Sequence, residues 1–409
     1  MLRTIYWIVL ILAASPLAYY VLSLYCVVSY FHKLRSSTSR TPFNLPPASI
    51  LKPVKGVDHD AYENFASYCR QNYPEYELIF AVADLHDPVI PIIERLRTEF
   101  PSRSIRLITG VESLGTNRKV NSLCRLVREA KYDLVVMSDS DVRVQPDYLK
   151  EVITPFADPK VGAVTALYRT VGGRGFAASL DALGMCMDSA PAALVARKLE
   201  GKMQFAFGWT MATTKHHLAE IGGWEMIANY HSDDFELGNR IAQRGYRVEL
   251  MRKPVWMVVP RQTLKQFLAH ELRWSIGLKN VRPSGYWGLV FTHGLPWAML
   301  AALISSLAGR TGMAVSYLAA YLALRLISAW TTGVWGLGDK NIGKKLWLVP
   351  LRDAASFLVW IAAFFTDEIM WRGRSYRVKN RRLIPTDSNR EISTAHVVGP
   401  GIATPENMS

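Results

Sequence analysis

The stretch Asp133-Leu134-Val135-Val136-Met137-Ser138-Asp139-Ser140-Asp141 reads as a short apolar strand that runs straight into two carboxylates. A continuous apolar run of this length suits a strand buried on both faces, as in a parallel sheet. In such sheets ligands bind beyond the carboxyl ends of the strands, so Asp139 and Asp141 stand where a site is expected. Two carboxylates two residues apart suit a divalent cation, which is held by one or two carboxylates together with substrate phosphates. A turn is the plainer reading, because Asp and Ser are common turn formers. The sequence on either side decides between them.

Around this stretch, β-rich runs alternate with amphipathic ones. Further strands are expected at Ser49–Leu51, Glu77–Ala83, Ile105–Ile108, Val161–Leu167 and Tyr246–Met251. Helices are expected at Asp60–Asn72, Pro88–Glu99, Arg118–Ala130, Pro146–Phe156 and Asp233–Arg244. The alternation implies βαβ units and a mostly parallel sheet covered on both faces. Strand Glu77–Ala83 also ends on a carboxylate, Asp84. A third acidic cluster is His231-Ser232-Asp233-Asp234-Phe235-Glu236. Ser232 or Asp233 suits an N-cap and Glu236 the first turn. Capping does not account for two adjacent aspartates, and one facing the site could take a proton from an acceptor hydroxyl as general base. In His270-Glu271-Leu272-Arg273-Trp274, His270, Arg273 and Trp274 share one helical face. Arg is a natural partner for phosphate oxygens and Trp offers a flat apolar surface. A membrane-surface helix is the alternative, with Arg282 and Trp287 in support.

The rest of the chain points to a bilayer. Half of the 409 residues are apolar, 20% are charged, and 48 Lys plus Arg against 34 Asp plus Glu give a net charge of +14. That balance excludes an extended disordered chain. Thr4 to Phe31 carries no charge over 28 positions, where roughly 20 suffice to cross a bilayer. Ala13-Ala14-Ser15 resembles a processing site, but the apolar run continues far beyond a signal peptide's core. Lys33, Arg35 and Arg40 follow the run and only Arg3 precedes it, which puts the next domain in the cytoplasm. Tyr286–Gly309 and Thr311–Gly338 are expected to span, the second with Arg325 inside it and Asp353 as its bland partner. Ala354–Phe365 is too short and reads as re-entrant or interfacial. A third full crossing there would put the basic cluster from Arg372 to Arg382 outside. The expected organisation is therefore a transmembrane helix at 1–32, a linker at 33–48, a cytoplasmic catalytic domain at 49–284, a membrane region at 285–370, and a basic then disordered tail at 371–409. Cys26, Cys69, Cys124 and Cys186 show no metal spacing and read as free thiols. No nucleic-acid-binding pattern appears, and much of the basic excess flanks membrane segments, where it meets anionic lipid.

Taken in order, Asp84, Asp139-x-Asp141, Asp234 and His270-x-x-Arg273-Trp274 resemble the D, DxD, D, (Q/R)xxRW signature of membrane glycosyltransferases with the GT-A fold. Lys52-Pro53-Val54-Lys55-Gly56-Val57-Asp58 resembles the opening of ceramide glucosyltransferases (glycosyltransferase family 21). So do His86-Asp87-Pro88, Lys119-x-Asn121, Gly175-Phe176-Ala177-Ala178, and the end from Trp371-Arg372 to Tyr376-Arg377. The resemblance extends to bacterial enzymes that glycosylate the polyol tail of hopanoids.

This resemblance implies an α/β GT-A-type fold with a mixed, mostly parallel sheet flanked by transmembrane helices. It implies Asp84 at the uridine, Lys119 and Asn121 near the nucleotide, and Asp139 and Asp141 holding a diphosphate through Mg²⁺ or Mn²⁺. It further implies Asp234 as base, and His270, Arg273 and Trp274 at the diphosphate and acceptor mouth. The partners so implied are a UDP-sugar donor, a membrane lipid acceptor and the bilayer itself, in the inner membrane if the chain is bacterial. Glucose and N-acetylglucosamine both remain open as donor sugar, and ceramide and hopanoid polyol as acceptor. His270 departs from the usual Gln or Arg, and Asp141 from the residue that animal ceramide enzymes tend to carry. A polyprenyl-phosphate sugar synthase would lack the Arg-Trp motif. A processive polysaccharide synthase would have more spans and Gln at position 270. A non-catalytic lipid-binding protein would not need all four acidic positions.

Overall fold

The computed structural model describes residues 2–36, 45–173 and 175–386. Most of the proline-bearing linker and the polar stretch beyond Thr386 lie outside the described residues. Strands β1 (Ala48–Val54), β2 (Tyr76–Val82), β3 (Ser104–Thr109) and β4 (Leu134–Met137) lie side by side in parallel, in the order β3-β2-β1-β4. Every residue of β2 and β4 is buried, as strands covered on both faces should be. β1 is the shared neighbour. Its Val54 is level with Val82 of β2, and its Leu51 with Met137 of β4, so Asp84 and Asp139 leave the same edge of the sheet.

Beyond β4 the alternation fails. After β5 (Val142–Arg143), the expected Val161–Leu167 strand stops at Thr165 as β6 (Val161–Thr165), and Tyr168 opens β7 (Tyr168–Gly172) in a different sheet. β8 (Met211–Thr214) enters antiparallel between β4 and β6, and β9 (Arg247–Leu250) closes the edge parallel to β6. The main sheet is thus mixed and mostly parallel, ordered β3-β2-β1-β4-β8-β6-β9. β10 (Val255–Val259) pairs with β5 and β7 in a small second sheet. The expected helix Pro146–Phe156 is an α-helix over Tyr148–Ile153 and a tighter 3₁₀ turn over Thr154–Ala157, where Pro155 has no N–H to continue the α pattern.

Two helices, Arg3–Ser36 and Thr311–Gly336, are long and apolar enough to cross a bilayer. The expected continuous span at Tyr286–Gly309 is instead a pair, Pro283–Thr292 and Gly294–Leu307, bent by 45°, which gives a third crossing if the pair is one broken span. The break at His293 leaves backbone groups without helical partners, and Tyr20 of the first helix meets two of them. Its hydroxyl donates to the Thr292 carbonyl at 2.9 Å and accepts from the Gly294 amide at 2.8 Å. The short segment forms a helix at Val349–Ala362, 14 residues long and below spanning length. Arg325 is paired with Asp353 as expected, its Nε donating at 2.9 Å, and it also reaches Asp188 at 3.1 Å.

The C-terminal segment differs most from expectation. The basic part of the 371–409 region is no tail: β11 (Glu368–Trp371), β12 (Arg374–Lys379) and β13 (Arg382–Pro385) form an antiparallel meander. Its two hairpins turn at Arg372-Gly373 and Asn380-Arg381, each with positive φ at both positions, the pattern of the two-residue type I′ turn. Ile369, Tyr376, Val378 and Leu383 bury a small core against Ile276 and Tyr286. Basic residues on the outer faces hid this packing in the sequence.

Candidate active site

Five of the nine candidate residues meet at the carboxyl edge of the sheet or in the three helices beside it. Asp139 follows β4, and its Oδ1 lies 2.8 Å from the Lys119 ammonium. Lys119 sits in the first turn of the Arg118–Glu129 helix, which Asn117 caps by accepting from the Val120 amide. The same ammonium is 3.0 Å from Asp233 Oδ2. Burial works against this charge, but Asp139, Asp233 and Asp234 outweigh it and hold the amine protonated well above the ordinary lysine value.

Asp234, in the first turn of the Asp233–Gln243 helix, is pinned by backbone. Its Oδ2 accepts from the Gly208 amide at 3.0 Å and its Oδ1 from the Phe235 amide at 2.8 Å. A Cβ at position 208 would stand 3.2 Å from both Asp139 Oδ2 and Lys119 Nζ, so any larger residue there would push on the Asp139–Lys119 pair. Burial, with Asp233 beside it, raises the Asp234 carboxyl from 3.8 to about 6. Ser232 occupies the N-cap but makes no cap bond; its hydroxyl pairs with His231 Nδ1 at 3.0 Å.

Asp141 is raised to about 7 by burial, then by Asp139 and Asp58, and its Oδ1 is buried without a hydrogen-bond partner among the described residues. Arg273 is half-buried, and desolvation followed by Arg372 lowers it to about 10 while Asp139, Asp141 and Asp234 favour its charge.

Four candidates stand differently. Asp84 is exposed at the same sheet edge, where its Oδ1 accepts from the His86 amide; among the described residues no hydrogen bond or ion pair joins it to the cluster. Asn121 spends its side chain on Gly115, accepting from the amide and donating to the carbonyl at 2.9 Å each, and so positions the loop before the Lys119 helix. His270 and Trp274 lie side by side on the Leu264–Val281 helix with ring centres 4.5 Å apart. Trp274 meets Trp209 at 5.5 Å, next to the Gly208 amide that holds Asp234. His270 is kept neutral by burial and by Arg273, lowered to about 3. It also lies within reach of Asp181 and Glu271, but those carboxylates already serve Gln262 at 3.2 Å and Arg352 at 2.7 Å.

Three participants have no role in the sequence reading. Lys52, in the middle of β1, is fully buried and donates to the Asp139 carbonyl at 2.5 Å. Burial lowers its amine to about 7, against the pull of Asp139, Asp141 and Asp58. Arg372, at the first hairpin tip of the meander, pairs with Asp58 at 2.9 Å and lies 3.4 Å from the Ser140 hydroxyl between the two DxD carboxylates. Arg381, at the other tip, accepts the His231 amide on its carbonyl and pairs with Glu236 at 2.9 Å. The meander thus ties the DxD loop to the helix that carries Asp234. Nothing local announces this; the signal in the sequence is that the stretch from Trp371-Arg372 to Tyr376-Arg377 resembles the end of ceramide glucosyltransferases.

The family model described as glycosyl transferase family 21 matches residues 8–384. The chain belongs to glycosyl transferase family 21. All nine candidate residues lie inside the matched region. Among curated relatives, ceramide glucosyltransferase 3 of Caenorhabditis elegans is 26% identical over 59% of this chain and 52% of its own length. Ceramide glucosyltransferase 1 of the same organism is 23% identical over 91% of this chain and 80% of its own. The ceramide glucosyltransferase of Komagataella phaffii is 31% identical over 31% and 26%. The chain therefore spans about half the length of the first relative. Among solved structures, mannosyltransferase PcManGT from Pyrobaculum calidifontis, in complex with GDP-Man and Mn²⁺, is 17% identical over 85% of this chain and 99% of its own, with a TM-score of 0.43. GalNAc-T7 with UDP, GalNAc and Mn²⁺ is 11% identical over 59% and 52%, with a TM-score of 0.42.

Proposed function

We propose that this family 21 glycosyltransferase moves a hexose, glucose or N-acetylglucosamine, from a UDP-sugar to the hydroxyl of a membrane lipid of ceramide or hopanoid-polyol type, with inversion at the sugar. One observation carries the reading. Asp234, a backbone-pinned carboxylate whose affinity for protons burial raises, stands beside the Asp139–Lys119 pair on one side and, through Gly208-Trp209, touches Trp274 on the membrane-facing helix on the other.

In this reading the acceptor oxygen gives its proton to Asp234 as it forms the new bond to the anomeric carbon. The bond from that carbon to the diphosphate oxygen breaks, and its electron pair leaves with UDP. A carboxyl near 6 is ionised at neutral pH yet basic enough to accept the proton. Lys119 and Arg273 offset the charge that develops on the leaving diphosphate. Asp139 and Asp141 fit a hard, oxygen-ligated cation such as Mg²⁺ or Mn²⁺, since the Asp141 Oδ1 is buried without a partner among the described residues. Such an ion would neutralise diphosphate charge as a Lewis acid.

The catalytic domain faces the cytoplasm in this proposal, because Lys33 and Arg35 end the first helix on the same side as Lys344 and Lys345. The Arg35 guanidinium lies 4.1 Å over the Trp335 ring, so both long helices end at that face. The test is lipid extraction from a host that makes ceramide and hopanoid polyols, expressing wild type or Asp234→Asn, followed by mass spectrometry. A hexosyl-ceramide or an N-acetylhexosaminyl hopanoid seen only with wild type supports the reading. Neither product from well-expressed protein overturns it.

A further inference from the structure

Between the Leu264–Val281 helix and the Val349–Ala362 helix lies a cavity of about 170 Å³. We propose that this cavity receives the polar head of the acceptor lipid, with Arg352 and His293 as the residues that recognise it. The proposal rests on the function argued above and gives that reaction a specific acceptor site.

The first observation is unspent hydrogen-bonding capacity. Arg352 is 4% exposed and lines the cavity. Its Nη2 is occupied by Glu271 at 2.7 Å and Asp188 at 3.1 Å, while Nε and Nη1 are buried without partners among the described residues. The Nε2 of His293, also in the lining, is equally buried and unpartnered. Buried polar atoms left this way cost free energy unless something pairs with them. An incoming oxygen would satisfy them, as a hydroxyl or an amide carbonyl supplies.

The second observation is backbone irregularity, which a membrane region tolerates where it borders a cavity or packs within protein. His293 is the residue at which the Pro283–Leu307 pair bends by 45°. Met185 and Asp188, also in the lining, belong to a π-helical turn, Met185–Ser189, a feature that concentrates at functional sites. Two distortions from separate helices converge on one small space.

Position and charge then define the ligand. Trp274 lines the cavity and meets Trp209, the neighbour of the Gly208 amide on Asp234, so a head held here would extend its reacting hydroxyl past the edge of this aromatic pair to the base. The lining carries Asp181, Asp188 and Glu271 against Arg352, whose charge Glu271 and Asp188 already offset. A phosphate would meet surplus negative charge, so the fitting head is neutral, bearing hydroxyls or an amide. Trp360, Leu289 and Val359 form the apolar side toward the membrane helices, where an acyl or polycyclic body would continue.

Two measurements test this. The first uses unaltered full-length protein and a ceramide or hopanoid-polyol probe with a diazirine next to its head group, in phosphatidylcholine vesicles. Labelling of peptides containing Met185–Ser189 or Arg352–Trp360, competed by the unlabelled lipid but not by a polyprenyl phosphate, supports the site. Labelling elsewhere, none with either probe, or equal competition by the phosphate overturns it. The second measures transfer by Arg352→Lys, which keeps a cation for Glu271, and by His293→Leu. Loss of one or two hydrogen bonds predicts a rise of roughly tenfold in KM for the lipid, with KM for the UDP-sugar within about twofold. An unchanged lipid KM in an active wild type overturns the cavity while leaving the function standing. A wild type that binds UDP-sugar and is labelled in the cavity, yet transfers to neither lipid, overturns the function while supporting the cavity.

Discussion

Replacing Asp234 by Asn should abolish transfer and leave the fold and donor binding in place, and the structure says why the two effects separate. The carboxylate accepts two backbone N–H groups, from Gly208 and Phe235. Asn can accept one with its carbonyl and must point its NH₂ at the other, which leaves a buried donor facing a donor at about 1–3 kcal/mol. Against this, ionising Asp234 in the folded protein is itself unfavourable. Its carboxyl is raised from 3.8 to about 6, which at about 1.4 kcal/mol per pH unit is roughly 3 kcal/mol removed by a neutral side chain. The two terms nearly cancel, so the melting temperature at pH 7 should move little. Catalysis has no such compensation, and a positioned base contributes roughly 10²–10⁴-fold. The assay is kcat for lipid glycosylation beside calorimetric titration of the same preparation with UDP-sugar. The base must be ionised, so wild-type kcat should fall as pH drops below about 6, tenfold per pH unit. That limb should vanish in the residual activity of the variant. A variant that keeps more than about a tenth of wild-type kcat with full donor binding would remove Asp234 as base.

Three further outcomes follow from the same geometry. Arg372→Ala breaks a half-exposed pair with Asp58, and such pairs contribute only about 0–1 kcal/mol. Its melting temperature should therefore hold while KM for the UDP-sugar rises about tenfold through the lost charge-assisted bond beside the DxD loop; an unchanged KM refutes a role at the diphosphate. Asp141→Asn should lower Mn²⁺-supported UDP binding by at least about tenfold in calorimetric titration, and equal affinity with and without Mn²⁺ in wild type would contradict the cation assignment. Arg325→Leu strands the buried Asp353 and should cost about 3–5 kcal/mol, read as thermal unfolding in detergent, with Arg325→Leu/Asp353→Leu recovering most of it. A double variant no better than the single one would refute the pairing argument.

Which of these residues the sequence reveals depends on how local their reasons are. Asp139, Asp141 and Asp234 are legible because each follows a strand or opens a helix whose apolar pattern lies within a few residues of it. β2 and β4 are legible for the same reason, since a strand buried on both faces writes a continuous apolar run. β8 is not: Met211-Ala-Thr-Thr214 is short and half polar, and it becomes a strand only because β4 and β6 supply antiparallel partners on both sides. Lys52 misleads in the opposite direction. A lysine in a strand reads as a solvent-facing residue, whereas here its ammonium lies 4.1 Å over the Tyr68 ring and donates to the Asp139 carbonyl.

Arg372 and Arg381 lie furthest from sequence reasoning because their roles exist only after the meander docks. As sequence they are two charges in a basic tail; as structure they occupy the two hairpin tips, one on Asp58 and one on Glu236. That placement has a consequence for the site. The DxD loop and the Asp234 helix are joined by Lys119 from below and by the meander from outside, so donor-binding and base-bearing elements share one rigid frame. The meander in turn packs on Ile276 and Tyr286, next to the helix that carries Arg273 and Trp274. A disturbance of the membrane helices beneath Tyr286 therefore has a packed route to the base, and the donor site and the lipid-facing wall are held in register by one small sheet.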